Sequence, residues 1–300
     1  MAVNHLCKLV TMDPLVSVVI TTWNRKEDLR GTLLQLKNQD YNNLEIIVVD
    51  NNSNDGTRGL LEEGFKEVRS IFLPENLGVE GTNIGMKEAR GEHILLLDND
   101  SFPKEDAIVK MVRVFKSDPK IGIVAFNIRS PIYRREDKEY TVQDPQSAYG
   151  FSGGGAGIRR TILEEVGYFP KEFFLYLCEQ DLSLRVLNAG YEIVHYPDII
   201  AYHRTSGVSR ARREIAYYYT RNLVWILLKY YPFNRLSPKM IELIYMVFYA
   251  SLEQRTFVYL KALLDALKGS GKILSSRVKI KEEVLRRVRI PTRLVFTHYR

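Results

Sequence analysis

The sequence predicts a three-layer α/β/α fold with a mostly parallel central sheet, followed by a helical extension. Apolar, β-branched runs alternate with amphipathic stretches through the first half of the chain. This alternation is typical of right-handed β–α–β crossovers, which bury a parallel sheet between two helical layers. From about residue 215 the chain changes to aromatic-rich helical segments. At 300 residues with 45% hydrophobic content, it can bury a sizeable core.

Five strands and several helices follow from the pattern in chain order. The strands cover 16–21, 44–50, 69–74, 93–98 and 121–126, and helices lie near 26–38, 57–66, 80–90, 104–117 and 161–166. The strand runs are short and β-branched, bounded by turn-forming residues. One more helix is expected to begin at two carboxylates, Glu179 and Asp181, and to end at Gly190.

Polar residues follow four of these strands. They are residues 21–25, 50–53, 75–78 and 98–100. Ligands bind at the carboxyl ends of the strands in parallel sheets, so four such ends in succession predict one binding rim. Asn, Asp and Ser are also ordinary turn formers, so any single end could be a plain turn.

Asp98 and Asp100 end the strand ILLLDND. Two carboxylates at a strand end suit Mg²⁺ or Mn²⁺ shared with ligand phosphates, and turn chemistry is the alternative. An aspartate-nucleophile phosphatase is disfavoured because Phe102 stands where that class needs a small β-branched residue, and because the motif is not on the first strand.

The segment FSGGGAGIRR, residues 151–160, is rich in glycine. It lacks the GK[ST] of a P-loop and the spacing GxGxxG. Its glycines could let the backbone pass close to a bulky ligand, with Arg159 and Arg160 facing a phosphate or solvent. A flexible loop before the next helix is the alternative.

Glu179 is the candidate general base, kept ionised by the helix amino terminus on which it lies. Asp181 is a candidate for the same role or a simple helix cap. His203 follows the apolar run DIIAYH, and a lone histidine there is either structural or a metal ligand.

The charge distribution and the cysteine content indicate which partners and which redox environment to expect for the protein. The net charge is +7, and residues 271–300 account for this excess with nine Lys or Arg against two Glu. Such a tail could meet an anionic membrane surface or a nucleic acid, or could be a solvated basic helix. Two distant cysteines indicate neither a disulfide framework nor a zinc site, which favours a reducing cytosol. We also expect neither a secretory leader nor a membrane span.

Several ordered motifs together resemble a family-2 inverting glycosyltransferase with the nucleotide-diphosphosugar (GT-A) fold, similar to rhamnosyl- and galactofuranosyl-transferases. The motifs are VSVVITTWNR, VVDNNSNDGT, ENLGVEGTNIGMKEARGEHILLLDND, FSGGGAGIRR, LCEQDLSLR and YH. The resemblance covers roughly residues 16–230. It implies an enzyme that transfers a hexosyl or deoxyhexosyl group from a UDP-, dTDP- or GDP-linked sugar to a glycan or polyprenyl-linked acceptor, with Mn²⁺ or Mg²⁺ and without nucleic acid.

The resemblance also implies roles for individual residues. It places the donor against Thr21, Thr22, Asn24, Arg25, Asp50, Asn76, Gly78, Asn83, Asp98, Gly154 and Gly155. Asp98, Asp100 and His203 correspond to the metal ligands. The acidic motif aligns Glu179 with the catalytic base and Asp181 with a later aspartate, although Cys178-Glu179 stands where Glu-Asp is usual.

These patterns predict three regions: an arm over 1–14, a glycosyltransferase domain over 15–230 and a helical extension with a basic tail over 231–300. The extension is expected to dock on the inner face of the cell membrane, or to serve core packing or homodimerisation. Two rival functions stay open from sequence. They are a sugar-nucleotide pyrophosphorylase, whose glycine-rich signature is replaced here by TTWNR, and a non-catalytic nucleotide- or glycan-binding relic.

Overall fold

A nine-stranded sheet forms the centre of the protein in the computed structural model, which describes residues 13–129, 146–204 and 212–288. The strands are β1 Val16–Thr22, β2 Leu44–Asp50, β3 Arg69–Phe72, β4 His93–Asp98, β5 Ser101–Pro103, β6 Ile121–Arg129, β7 Gln146–Ser147, β8 Ala156–Arg159 and β9 Glu192–His203. Their order is β3-β2-β1-β4-β8-β6-β9-β5, and β7 pairs with β9.

Most of the sheet is parallel, as predicted. Strands β3, β2, β1 and β4 pair in parallel, and β6 pairs in parallel with β9. Strand β8 runs against both β4 and β6, so β6 has the same direction as β4. The long strands therefore present their carboxyl ends at one edge of the sheet.

The helices are α1 Lys26–Leu36, α2 Thr57–Gly64, α3 Val79–Glu88, α4 Ala107–Ser117, α5 Arg160–Val166, α6 Cys178–Ala189, α7 Arg212–Tyr230, α8 Phe233–Glu253, α9 Val258–Ser275 and α10 Glu282–Arg287. Successive strand residues point to opposite faces, so Val18 and Ile20 pack with α1, α2 and α4, while Val19 packs with α3, α5 and α6. Both faces of the sheet are thus covered, which explains the continuous apolar strands.

The C-terminal helices continue the core on the α3 side. Helix α7 packs against α9, and Trp225 of α7 donates a hydrogen bond to the carbonyl of Ala266 at 3.0 Å. Residues of α7, α8 and α9 share one hydrophobic cluster with strand residues such as Val19 and Ile47. Within the described residues, every helix is too short or too polar to cross a membrane. Residues 1–12 of the predicted arm and 289–300 of the basic tail lie outside the described residues.

Four strands were missed by the sequence prediction. Strand β8 lies inside the glycine-rich segment, and β5, β7 and β9 were not predicted either. Glycine has low strand propensity, and here packing demands it. A Cβ atom at Gly157 would lie 2.3 Å from the sulfur of Met111 on α4, so only glycine allows this close contact between sheet and helix.

Candidate active site

The polar rim predicted from four strand ends is present at the carboxyl edge. Thr21 pairs in register with Asp98, and Thr22 pairs with Asp50. The ends of β1, β2 and β4 therefore lie side by side, as a parallel sheet requires. Asn99 extends the rim by donating from its amide to the hydroxyl of Thr22 at 3.1 Å.

The two aspartates and His203 form a compact cluster. The structure brings one ligand atom from each of Asp98, Asp100 and His203 within 4.8 Å of one another. His203 Nε2 lies 3.2 Å from Asp100 Oδ1 and 3.6 Å from Asp98 Oδ2. Strand β5 causes this meeting, because it pairs Ser101 with His203 in antiparallel register directly after Asp100. We call these three residues the acidic triad.

The acidic triad carries more negative charge than its surroundings neutralise. Burial raises the pKa of Asp100, the nearby His203 opposes this shift, and the negative charge of Asp98 adds to it. Contact with Asp98 raises the pKa of His203. Arg25 contributes positive charge nearby and is itself bonded to Asp28 at 3.1 Å. Two carboxylates and one imidazole, which suit a divalent cation, therefore fit a metal site.

The first two strand ends are tied together by their loops. Asn24 has φ 51° and donates its backbone N–H to Ser53 Oγ at 2.8 Å, while its side-chain oxygen accepts from Asn54 N at 2.8 Å. Asp50 is buried and accepts from Ser53 N at 3.1 Å and Ser53 Oγ at 2.5 Å. These bonds hold the two loops as one rigid wall of the rim.

The third strand end joins the same wall through Asn51. Its amide donates to the carbonyl of Gly78 at 3.0 Å, and Asn76 accepts from Gly78 N at 2.9 Å. Gly78 has φ +58°, and a Cβ atom there would lie 2.3 Å from the carbonyl oxygen of Phe174. Both the conformation and the space require glycine.

Asn83 and Gly155 have structural surroundings that do not fit the donor contacts predicted for them. Asn83 is buried, and its side chain bonds both the N–H and the carbonyl of Phe169, at 3.0 and 2.9 Å. A Cβ atom at Gly155 would meet Ala201, Ile128 and Phe126 inside the sheet. An asparagine and a glycine are residue types that often border a ligand, but the sequence could not show that these two contact residues distant in the chain.

Gly153 and Gly154 face the site. A Cβ atom at Gly154 would lie 3.2 Å from His203 Cδ2 and 3.3 Å from Asp98 Oδ2. One at Gly153 would lie 3.1 Å from Glu179 Oε1 and 3.6 Å from Asp98 Oδ1. The bare backbone thus leaves room between the carboxylate of Glu179 and the acidic triad.

Arg159 and Arg160 were predicted to face either a phosphate or solvent, and they lie at the opposite edge of the sheet. Arg159 Nη2 donates to the carbonyl of Phe115 at 2.9 Å, and Arg160 Nε donates to that of Gly91 at 2.9 Å. Strand β8 runs antiparallel, so its last residue, Arg159, pairs with His93 at the amino end of β4. A phosphate at the carboxyl edge is out of reach of both side chains.

Glu179 and Asp181 lie in the first turn of α6 with opposite surroundings. Glu179 is half-buried beside Gly153, whereas Asp181 is fully buried. Asp181 accepts from Lys229 Nζ and Tyr230 OH, both at 2.6 Å, and from Arg185 at 2.9 Å. A carboxylate enclosed this way cannot reach an acceptor hydroxyl, so the structure argues against Asp181 as base. Cys178 points into the core.

Similarity to known proteins identifies the family to which this chain belongs. The family model for glycosyl transferase family 2 matches residues 17–167. The chain belongs to glycosyl transferase family 2. A probable glycosyltransferase of Bacillus subtilis, YdaM, is 28% identical over 215 residues, covering 64% of this chain and 51% of that protein. The poly-β-1,6-N-acetyl-D-glucosamine synthase of Staphylococcus aureus is 32% identical over 201 residues, covering 61% and 48%. The chain spans about half the length of these curated relatives.

Solved structures agree on the fold. The mannosyltransferase PcManGT from Pyrobaculum calidifontis, in complex with GDP-Man and Mn²⁺, gives a TM-score of 0.58 at 21% identity, covering 96% of this chain and 79% of its own. S. aureus TarS, in complex with UDP-GlcNAc, gives 0.57 at 16% identity, covering 95% and 89%. These matches confirm the predicted GT-A fold, and the matched family model confirms the predicted family-2 glycosyltransferase domain.

Proposed function

We propose that this glycosyltransferase moves a sugar from a nucleotide-diphosphate donor to a hydroxyl of a glycan or lipid-linked acceptor, with inversion at the anomeric carbon. The proposal rests on one observation above all. A Cβ atom on Gly153 would lie 3.1 Å from Glu179 Oε1 and 3.6 Å from Asp98 Oδ1, and one on Gly154 would lie against Asp98 and His203. A reacting sugar placed over these glycines would have a carboxylate near one side and a metal-binding cluster near the other.

The acidic triad would hold Mn²⁺ or Mg²⁺. Its donor set of two carboxylates and an imidazole fits either ion, and the nitrogen ligand favours Mn²⁺. PcManGT carries Mn²⁺ in its complex, which supports this assignment by analogy. When bound, such an ion neutralises negative charge on the departing diphosphate.

The nucleotide would lie along the rim formed by the first three strand ends. Thr21, Thr22, Asn24, Arg25 and Asp50 are the residues predicted to border it. The related structures hold GDP-Man in one case and UDP-GlcNAc in another, so the fold accepts a purine or a pyrimidine. We therefore expect a UDP-, dTDP- or GDP-linked sugar as donor.

Glu179 would act as the general base in a single displacement. The acceptor hydroxyl gives its proton to the Glu179 carboxylate, and its oxygen forms a bond to the anomeric carbon. The bond from that carbon to the diphosphate oxygen breaks, and the electron pair leaves on the nucleoside diphosphate. The attack comes from the face opposite the leaving group, so the anomeric configuration inverts.

The test of this role is Glu179→Gln, assayed by transfer and by calorimetric nucleotide binding with Mn²⁺. We expect transfer to fall at least about 100-fold, the usual contribution of a general base, with nucleotide affinity changed less than threefold. Glu164→Gln, on the exposed side of α5, is the matched control and should keep full activity. Full activity of Glu179→Gln, or a product that retains the donor configuration, would contradict the mechanism.

We propose further that helix α8 rests on an anionic membrane surface, which would bring a polyprenyl-linked acceptor to the site. Six exposed apolar or aromatic residues repeat along its outer side at intervals of three and four: Ile241, Ile244, Tyr245, Phe248, Tyr249 and Leu252. The neighbouring helix α9 carries three exposed lysines, Lys261, Lys268 and Lys272, whose ion pairs with Asp265 and Glu172 leave one positive charge in excess. An exposed apolar face on a helix is typical of interfacial helices.

Vesicle co-sedimentation of wild type and a Phe248→Ser/Leu252→Ser double variant tests this docking. We expect wild type to bind anionic more than zwitterionic vesicles, and the variant to lose most binding. Leu34→Ser, at a leucine of α1 that is also exposed, is the control. If both variants bind vesicles like wild type, the docking proposal fails. A wild-type dimer that the double variant turns into a monomer would instead assign this face to homodimerisation.

A further inference from the structure

The loop that precedes Glu179 has an unusual backbone. Three of its five residues, Phe174, Tyr176 and Leu177, have φ values of 60°, 63° and 61°. Side chains with a Cβ atom rarely adopt this left-handed region, and such conformations persist only when surrounding contacts enforce them. We call residues 173–177 the base loop, because it leads directly into α6. Its last carbonyl, on Leu177, accepts the N–H of Asp181 at 3.1 Å and so begins the helix that carries Glu179.

Helix α7 supplies the enforcing contacts. Asn222 is fully buried, and its side-chain amide nitrogen lies 3.0, 2.6 and 2.9 Å from the carbonyl oxygens of Phe173, Leu175 and Tyr176. Arg221 Nη2 donates to the carbonyl of Phe173 at 2.8 Å. Its Nε lies 3.1 Å from Asn222 Oδ1, which turns the amide nitrogen toward the loop.

The other side of the base loop touches the nucleotide rim. The carbonyl of Phe174 accepts the N–H of Val79 at 2.7 Å, at the glycine turn held by Asn51. Aromatic stacking also joins the base loop to α7. The ring centroids lie 4.7 Å apart for Tyr176 and Tyr219, and 5.3 Å apart for Phe174 and Tyr218. The base loop is therefore fixed between the rim and α7.

We propose that Asn222, oriented by Arg221, is a positioning residue that sets the catalytic geometry of Glu179 through the base loop. This inference rests on the proposed role of Glu179 as base. Asn222 does not line the acidic triad or the nucleotide rim, so its influence on chemistry passes through the backbone of residues 173–177. Three carbonyl oxygens converge on its amide, and they require a donor at this position.

Asn222→Asp tests the inference because it keeps the side-chain shape and replaces the donor by a negatively charged acceptor. We expect kcat to fall about 100-fold, the scale of a displacement near 1 Å at a reacting group, with nucleotide affinity within threefold of wild type. Hydrogen exchange of the amides of residues 175–181 should accelerate. Asn188→Asp is the matched control, because Asn188 also donates to a carbonyl, that of Lys279, at the far end of α6. It should leave kcat within twofold.

Arg221→Lys provides a second variant if Asn222→Asp folds poorly. It keeps the charge but loses the guanidinium geometry, so a smaller loss in kcat is expected, again without a change in nucleotide affinity. Unchanged kcat in both folded variants would overturn the inference, as would a parallel loss of kcat and nucleotide binding. Full activity of Glu179→Gln would contradict the proposed role of Glu179 as base, on which the positioning inference rests. If Glu179→Gln is inactive while the Asn222 and Arg221 variants keep full activity, the positioning inference alone is contradicted.

Discussion

The candidate active site and the helix α6 that carries Glu179 hold two groups of charged residues, which differ in how their charge is balanced. The acidic triad combines two carboxylates with one histidine, and the side chain of Asp98 is 53% exposed. The second group, the Asp181 network, surrounds one fully buried carboxylate with Lys229, Arg185 and Tyr230. The triad has negative charge in excess and is open to a cation from solvent. The negative charge of Asp181 is balanced by two cationic side chains of the protein itself, which is what a structural carboxylate needs.

The largest effect is expected when the triad loses a ligand. Asp100→Ala should lower nucleoside diphosphate release from the correct donor by about 1,000-fold or more, because charge on the leaving group is then poorly neutralised. Its melting temperature should not fall, since burial raises the pKa of Asp100 and the folded protein therefore disfavours its ionised form. A panel of UDP-, dTDP- and GDP-sugars, with and without Mn²⁺ or Mg²⁺, measures the release.

Asp198→Ala, which removes an exposed carboxylate paired with Lys110, is the control for this measurement and should remain active. The contrast between the two groups would fail if Asp100→Ala kept more than a tenth of wild-type activity. It would also weaken if Asp100→Ala unfolded at a markedly lower temperature, because a structural role would then explain the loss.

The Asp181 network should show the reverse pattern. Asp181→Asn leaves Lys229 and Arg185 without their counter-charge, so the free energy of unfolding should fall by about 3–5 kcal/mol. Protein that remains folded should bind nucleotide and Mn²⁺ normally. Urea unfolding measures the first quantity, and calorimetry at low temperature measures the second.

A double variant separates charge from packing in this network. Adding Lys229→Met to Asp181→Asn removes the unbalanced ammonium group, and we expect it to recover at least about 1 kcal/mol of the loss. No recovery would mean that the hydrogen bonds to Arg185 and Tyr230, rather than the charge on Lys229, dominate the stability of this network.

A buried histidine without a sufficient counter-charge should make stability depend on pH. His93 stacks on Phe115 with ring centroids 4.4 Å apart, and burial lowers its pKa to about 4. The folded state thus binds its proton less readily than the unfolded state. Its contribution is complete above about pH 6.5 and is lost as pH falls toward 4, by about 3 kcal/mol in total.

The measurement compares the unfolding free energy of wild type and His93→Phe over this pH range. Carboxylates also titrate there, and their contribution cancels in the difference between the two proteins. Phenylalanine keeps the stack on Phe115 and cannot take up a proton. The difference in unfolding free energy between the two proteins should change by about 3 kcal/mol between pH 7 and pH 4. A constant difference would show that His93 binds its proton equally well in both states.

The sequence was informative wherever the signal was local. Continuous apolar, β-branched runs predicted β1, β2 and β4, and the polar residues after them predicted the rim with Asp98 and Asp100. The family resemblance added His203 as the third residue of the acidic triad. It was misleading where a side chain's partner is distant. Asn83 bonds Phe169 across 86 positions, and Asp181 bonds Lys229 across 48. Residue type suggested function at both positions, but only the fold reveals that their bonding capacity is already used.

Asn222 is a residue that the sequence analysis did not single out. Nothing in the helical pattern of α7 distinguishes it, yet its amide meets three carbonyl oxygens of the base loop. The left-handed residues of that loop are Phe, Tyr and Leu rather than glycine, so no local signal marked the turn. Strained backbone of this kind becomes visible only in three dimensions, where the contacts that enforce it can be seen.

The smallest effect is expected at the amino edge of the sheet, where Arg160 lies. Arg160→Ala removes a bond to the carbonyl of Gly91 and a surface pair with Glu164, so the unfolding free energy should fall by about 1 kcal/mol or less. Nucleotide affinity should change less than twofold, because the glycine-rich segment places this arginine at the edge opposite the acidic triad. Arg25→Ala, at the carboxyl edge, is the informative partner and should weaken nucleotide binding. If Arg160→Ala lost as much nucleotide affinity as Arg25→Ala, the nucleotide phosphates would lie at the amino edge of the sheet. That result would contradict the assignment of the active site to the carboxyl edge.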